Sequence, residues 1–280
     1  MPMATSAAFF DLDRTLISGA SAILLGTEAW RQDLVSNAEI AKWAVAAVSF
    51  RLLGDKGDAP EDVQGAFLTS VAGQPASALN ELGTSILPKL VSRVRPESRR
   101  LLNMHKEKGR DTWIVSASPQ VLVEPLAASL GMTGAVGTRG EIVNDVYTGG
   151  LDGAFVYGAG KADAIEKLAA ERGYELQLSY AYSDSVSDIP MLETVGHPVA
   201  VNPDSDLESI AHERGWPVVI FARRTKRAFA ASAVTTAAAA SAVLAYILGR
   251  KHGYTSALAD IATNRFRPWR KTSNDRRGAE

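Results

Sequence analysis

With 280 residues, no cysteine and four scattered histidines, the chain excludes disulfide stapling, thiolate metal sites and a histidine-rich zinc centre. Any resident metal must then be held by oxygen, which favours a hard cation such as magnesium. The formal net charge of −1 conceals two halves: residues 223–280 carry 12 Lys/Arg and 3 Asp/Glu, a net of +9, and the first 222 residues carry −10.

Ala7-Ala-Phe-Phe10 reads as a short buried strand that delivers Asp11 at its C-terminal end. It is too short for a secretory leader. From Ser21 to Leu90 the pattern is helical: Ala22–Trp30 and Ile40–Leu53 carry apolar residues at steps of three and four, and Gly54–Pro60 is a polar break. The spacing predicts an insert of about four helices. Alternation follows. Pro96–Lys108 reads as helix and Thr112–Ser116 as strand. Ser118 and Pro119 have the character of an N-cap and a first helical residue, opening a helix over Val121–Leu130. Glu141–Tyr157 looks like a hairpin excursion, and Lys161–Arg172 is a helix ended by Gly173. Then come a strand at Leu178–Tyr182, a helix at Ser187–Thr194 and a strand at Pro198–Val201. A helix at Asp204–Arg214 and a strand at Pro217–Ile220 complete the pattern.

Repeated strand–helix units predict an α/β fold: a Rossmann-like, doubly wound parallel sheet with a helical cap inserted after the first strand. The expected domains are a core of residues 1–20 and 93–222, a cap of 21–92 and a basic tail of 223–280. In such sheets ligands sit beyond the carboxyl ends of the strands. Asp11, Ser116 and Asp184 all fall at or just past such ends.

The tail holds Ala228–Gly249, 22 residues without a charge, ten of them alanine. At 1.5 Å per residue, that length spans a bilayer core of about 30 Å. Arg223-Arg-Thr-Lys-Arg227 precedes it and Arg250-Lys251 follows. The expectation is an Ala-rich helix that ties a cytoplasmic catalytic domain to a membrane, with the basic flanks meeting anionic lipid. Nucleic acid is the weaker partner, because the basic residues bracket an apolar segment instead of lining a polar face.

Four clusters carry chemistry. Asp11-Leu-Asp13-Arg-Thr15 puts two carboxylates on one tight turn, one able to attack phosphorus and the other to move a proton. Ser116-Ala117 offers a hydroxyl and backbone N–H groups suited to a phosphate oxygen. Gly158-Ala-Gly-Lys161 presents a lysine on a glycine-rich turn, suited to neutralising a phosphoryl group. Asp184-Ser-Val-Ser-Asp188 places two acids four apart across a strand-to-helix turn, suited to a magnesium ion. Arg14 is expected to lie in solvent.

In order and chemistry these clusters resemble the four motifs of the haloacid dehalogenase superfamily, over about residues 7 to 222. The cap position is similar to the phosphoserine-phosphatase-like branch. The resemblance implies Asp11 as nucleophile and metal ligand, and Asp13 as acid/base with its backbone carbonyl on the metal. It further implies Ser116, Ala117 and Lys161 at the phosphoryl group, Asp184 on Mg²⁺, and Thr15 and Asp188 in support. Two positions depart from the branch. Leu16–Ala22 lacks the glutamate that meets a substrate amine, and Ser116-Ala-Ser118 stands where Ser-Gly-Gly is common. The expected function is a Mg²⁺-dependent phosphomonoester hydrolase acting on a phosphorylated lipid or lipid precursor. A soluble small-metabolite phosphatase, phosphoserine included, is the enzymatic alternative. A catalytically idle, membrane-tethered interaction protein is the alternative of another class.

Overall fold

The computed structural model describes residues 5–32, 65, 68–69 and 72–221. These belong to the first of two units into which the chain divides, Met1–Phe221. The expected apolar helix at 228–249 falls in the second, Ala222–Glu280, outside the described residues.

Six strands form the main sheet: β1 (Ala7–Phe10), β2 (Asp111–Pro119), β3 (Gly134–Thr138), β6 (Tyr180–Ser183), β7 (His197–Val201) and β8 (Val218–Val219). Their order is β3-β2-β1-β6-β7-β8 and every pairing is parallel. The remaining two, β4 (Gly140–Val143) and β5 (Val146–Leu151), make a separate antiparallel hairpin. The described helices are α1 (Ser21–Arg31), α2 (Ala76–Arg93), α3 (Pro96–Glu107), α4 (Gln120–Ser129), α5 (Ala159–Arg172), α6 (Ile189–Glu193) and α7 (Ser205–Glu213).

The period-two geometry of a strand explains the layering. In β1, Ala8 and Phe10 face a core completed by Ile86 and Leu90 of α2, Leu102 of α3 and Leu122 and Leu126 of α4. Ala7 and Phe9 face the opposite core, completed by Ile165 and Leu168 of α5, Met191 of α6 and Leu207 of α7. All four β1 residues are buried, as a strand covered on both faces requires. Strand order runs outward in opposite directions from β1 and β6, so the topological switch lies between them. Asp11 leaves the sheet at that switch.

Two elements differ from the sequence reading. Strand β3 was not anticipated, because Gly134-Ala-Val-Gly-Thr138 has no apolar run. Its glycines are needed for close packing: a Cβ at Gly134 would sit 2.4 Å from the Trp113 ring, and one at Gly137 would sit 2.7 Å from the Ser118 carbonyl oxygen. That pairing also changes the end of β2. Pro119 pairs with Thr138 past an irregularity, so the strand runs through Ser118 and α4 begins at Gln120. Ser118 is therefore extended backbone instead of an N-cap.

The described residues hold the first and last helices of the expected insert, α1 and α2; its middle lies outside them. The two chain crossings between insert and core lie side by side. Ile17 and Val94 form an antiparallel bridge, Ser18 N–H donates to the Arg93 carbonyl at 2.9 Å, and Arg95 N–H donates to the Leu16 carbonyl at 3.1 Å. The hairpin turns at Asn144-Asp145, both with positive φ, the geometry of tight two-residue turns. Its tip grips the start of α2: the Asp145 carboxylate accepts from Ser77 Oγ at 2.8 Å and its carbonyl from Ala76 N–H at 2.8 Å.

Below the sheet, His105 of α3 is fully buried, with Nε2 2.8 Å from Tyr182 Oη and Nδ1 3.4 Å from Arg110 Nη1. The arginine can only donate, so Nδ1 accepts and Nε2 carries the proton toward the tyrosine. Burial first, then the charges of Arg110 and Lys108, push this imidazole down to about 4. An unfolded histidine titrates near ~6.5. The stability that neutral His105 contributes is thus complete above that pH and is lost as pH falls toward 4. Wild type should lose about 2 kcal/mol by this route, read as a lower urea midpoint at pH 5 than at pH 7. His105→Gln should show a smaller acid-side drop; an unchanged drop would remove His105 as its source.

Candidate active site

The chain leaves β1 in a tight turn over Leu12–Leu16, anchored by the fully buried side chains of Leu12 and Leu16. Arg14 adopts φ 61°, and its N–H closes the loop on the Gly19 carbonyl at 3.0 Å. Asp11 N–H continues the sheet pairing to the Tyr182 carbonyl at 2.9 Å, which fixes the nucleophile candidate beside β6.

Lys161 stands in the first turn of α5 and is buried. Its Nζ donates to Asp11 Oδ1 at 2.6 Å and to Asp188 Oδ2 at 2.7 Å. The approach is possible because Gly160 has no side chain: a Cβ there would meet the Phe155 carbonyl oxygen at 2.0 Å. Ser183 Oγ adds a donor to Asp188 Oδ2 at 2.6 Å, while Asp188 Oδ1 is buried without a partner.

Asp184 accepts from Thr15 Oγ1 at 3.3 Å and from Arg14 Nε at 2.8 Å. Arg14 therefore does not simply lie in solvent. Its side chain is 56% exposed, yet its guanidinium turns to the buried Asp184 carboxylate. Asp204 holds the loop from behind, accepting from Val186 N–H at 2.9 Å and from Leu207 N–H at 2.8 Å. Sequence reasoning missed Asp204 in this role, although an aspartate at a helix start is a capping signal.

Asp13 has a separate set of donors. Ser21 N–H reaches its Oδ1 at 2.7 Å and Ser21 Oγ reaches its Oδ2 at 3.0 Å. Ser21 Oγ also lies 2.8 Å from Ser118 Oγ, and Ser118 N–H donates to Ser116 Oγ at 3.1 Å. Ser116 is buried, with Ala117 half-buried beside it. All four sequence clusters thus meet at the carboxyl edge of the sheet, one hydrogen-bonded set joining Asp13 to Ser21, Ser118 and Ser116 and another joining Asp11 to Lys161 and Asp188.

Burial dominates the electrostatics of the carboxyl groups, with neighbouring charges acting in both directions. Burial pushes the Asp11 carboxyl up to about 6, with Lys161 pulling it down and Asp188 and Asp13 adding to the rise. Burial pushes Asp184 up to about 8, opposed by Arg14 and reinforced by Asp11 and Asp188. Asp13 is raised by burial, against the two donors of Ser21. Burial alone would push the Lys161 ammonium down, but the charges of Asp11 and Asp188 outweigh it and hold it above the ordinary lysine range.

A divalent cation fits this donor set: the carboxylates outnumber the cations, and one buried carboxylate oxygen is unpartnered. Among the described residues, no group of three or more His, Cys, Asp or Glu side chains is assembled for a metal. Magnesium, which takes one or two carboxylates and keeps several waters, suits such a donor set.

Residues 8–193 match the family of haloacid dehalogenase-like hydrolases. The chain belongs to that family. A probable phosphatase of Mycobacterium tuberculosis is 40% identical over 254 residues, covering 87% of this chain and 87% of that protein. A protein of the same organism named phosphoserine phosphatase is 37% identical over 247 residues, covering 86% of this chain and 80% of the relative. Among solved structures, a protein of unknown function from Bordetella pertussis superposes with a TM-score of 0.68 at 26% identity, covering 77% of this chain and 98% of that one. The chain is thus a hydrolase of the haloacid dehalogenase type, with the family's six-stranded α/β sheet.

The Lys161 ion pairs yield a stability prediction. Removing one partner of a buried pair leaves the other charge uncompensated, at a cost of roughly 3–5 kcal/mol. Lys161→Met should lower unfolding free energy by about 3 kcal/mol in chelator-treated protein. Adding Asp188→Asn should restore part of that loss. Equal denaturation midpoints for the single and double variants would show that Lys161 does not act by neutralising Asp188.

Proposed function

We propose that this hydrolase is a Mg²⁺-dependent phosphomonoesterase that works through an aspartyl-phosphate on Asp11. The observation that carries the reading is the division of labour between two carboxylates two residues apart. Asp11 is buried against Lys161 at 2.6 Å, whereas Asp13 is held by Ser21 alone at 2.7 and 3.0 Å. One environment suits a nucleophile and the other a proton carrier.

In the first step an Asp11 oxygen forms a bond to phosphorus as the ester P–O bond breaks, and Asp13 gives its proton to the leaving oxygen. In the second step Asp13 takes a proton from water, the water oxygen attacks phosphorus, and Asp11 is released with inorganic phosphate. Lys161 neutralises charge on Asp11 and on the transferring group, while Ser116 Oγ and the Ala117 N–H bind phosphoryl oxygens. Asp11, Asp184 and the Asp13 backbone carbonyl would hold the magnesium ion, which would supply positive charge to the phosphoryl oxygens. The intact set of Asp11, Asp13, Lys161 and Asp184 argues against a catalytically idle scaffold.

The relative named phosphoserine phosphatase supports a small phosphate ester as substrate. Against serine itself, residues 16–22 carry no acid to meet an amine. A second reading, a lipid phosphate at a membrane, is favoured by the uncharged segment 228–249 and its basic flanks. That support is from sequence: among the described residues no helix is long and apolar enough to cross a membrane.

The test is phosphate release from glycerol phosphate, phosphoserine, lysophosphatidate and phosphatidylglycerol phosphate, with Mg²⁺ and with chelator. Turnover should vanish with chelator and fall at least ~10³-fold in Asp11→Asn. Turnover that survives in Asp11→Asn would overturn the nucleophile assignment. Preference for phosphoserine over both lipid phosphates would remove the lipid reading and leave the phosphatase reading standing.

A further inference from the structure

The two stretches that depart from the phosphoserine-phosphatase pattern touch through one residue of each, Ser21 and Ser118. Ser21 lies in Leu16–Ala22, the stretch that lacks the expected glutamate; Ser118 stands where a glycine is common in the second motif. Ser21 Oγ and Ser118 Oγ lie 2.8 Å apart, although 97 residues separate them in sequence. Ser21 is almost fully buried, at 1% exposure, so its hydroxyl is not a solvated surface group.

Ser21 is the first residue of α1, the helix that opens the insert. A helix start leaves N–H groups without intrahelical acceptors. Here the N-cap residue is Ala20, which has no side-chain acceptor to offer. The acceptor comes from Asp13, eight residues earlier, whose Oδ1 takes the Ser21 N–H at 2.7 Å. The same serine then donates its hydroxyl to the other oxygen, Oδ2, at 3.0 Å. Two donors from one residue, one on each oxygen, fix both the plane and the rotation of the carboxylate. A lone contact would fix neither.

Ser118 completes the arrangement. Its backbone is held at the end of β2 by its N–H bond to Ser116 Oγ at 3.1 Å, and its carbonyl oxygen lies in the tight packing against Gly137. A hydroxyl has one donor and two acceptor sites. Ser21 can therefore donate to Asp13 and accept from Ser118 at once. The Asp13 side chain is in this way referenced to the rigid sheet, through Ser118, and to the insert, through α1.

We infer that Ser21 and Ser118 are positioning residues for the acid/base step, a hydroxyl pair that aims Asp13 at the leaving oxygen and ties that aim to the seating of the insert. The inference rests on the phosphatase reading above. Neither serine exchanges a proton with substrate; the proton travels from Asp13 to the leaving oxygen as its bond to phosphorus breaks.

The leaving group tests this directly. An alkyl phosphate needs protonation of a poor leaving oxygen, whereas 4-nitrophenyl phosphate leaves as a stabilised phenolate and does not. The parameter kcat/KM reports the steps up to aspartyl-phosphate formation, so it isolates leaving-group help from the later hydrolysis. General acid catalysis contributes roughly 10²–10⁴-fold, and a misaimed acid forfeits part of it. In the full-length protein, Ser21→Ala should lower kcat/KM for glycerol phosphate by about 10–100-fold and for 4-nitrophenyl phosphate by less than about 3-fold. Ser21→Thr, which keeps the hydroxyl, should recover most of the alkyl-ester activity. Ser118→Ala should show the same discrimination at smaller amplitude, and it leaves both Ser21–Asp13 bonds in place should Ser21→Ala fold poorly. Equal losses on the two esters in both alanine variants, with Asp11-dependent turnover intact in wild type, would overturn the positioning role alone. Absence of Asp11-dependent turnover of either ester in wild type would remove the phosphatase reading and this role with it.

Discussion

One ammonium group holds the centre of this structure together. Lys161 sits among buried carboxylates that would otherwise repel one another, and its two short bonds, at 2.6 and 2.7 Å, join the end of β1 to the turn after β6. Those segments are 150 and 27 residues away from it in sequence. The arrangement is costly to build. Each charge must leave water, and the return comes only if every partner is in place. The fold provides that: α5 begins on a glycine turn that lets Lys161 approach, Ser183 adds a donor to Asp188, and the Asp204 carboxylate secures the loop that carries Asp184 and Asp188. Even so, burial pushes Asp11 and Asp184 upward, and the neighbouring carboxylates add to the rise.

Much of this arrangement could be read from short strings. Each of the four clusters is a few consecutive residues, three of them at the end of a strand and one at the start of α5, and strand ends are marked by apolar runs that stop at a polar residue. Ala7–Phe10 followed by Asp11 is the clearest case, and the parallel sheet follows from repeated strand–helix alternation. What could not be read depends on contacts between distant segments. Strand β3 is built around glycines whose value lies in a Trp113 ring and a Ser118 carbonyl elsewhere in the chain. The true end of β2 is set by pairing with β3, a fact invisible in the Ser-Pro dipeptide that resembles a helix start. Arg14 turns inward to pair with the buried carboxylate of Asp184, 170 positions on, a partner that its own neighbours in sequence do not reveal. Ser21 was legible as a helix start but not as a partner of Asp13.

The division between chemistry and recognition also follows from the topology. The candidate site residues stand at strand ends, on the turns that follow them or, for Lys161, on the first turn of α5. The insert begins only after the loop that follows β1 has closed, with Gly19 accepting the Arg14 N–H, and it ends before β2 begins. Family membership therefore speaks strongly to the reaction and weakly to the ester. Ser21 and Ser118, in the stretches that depart from the phosphoserine pattern, lie where the insert meets the sheet.

The side-by-side crossings at Ile17–Val94 have an evolutionary meaning. They close the insert into a loop whose ends are fastened to each other before either reaches the reaction centre. The entropy of closing such a loop grows only logarithmically with its length. A lineage can therefore lengthen, shorten or exchange everything between the two crossings and leave the sheet below nearly indifferent to the change. The bridge behaves as a socket, accepting successive attachments on a machine whose working parts stay the same.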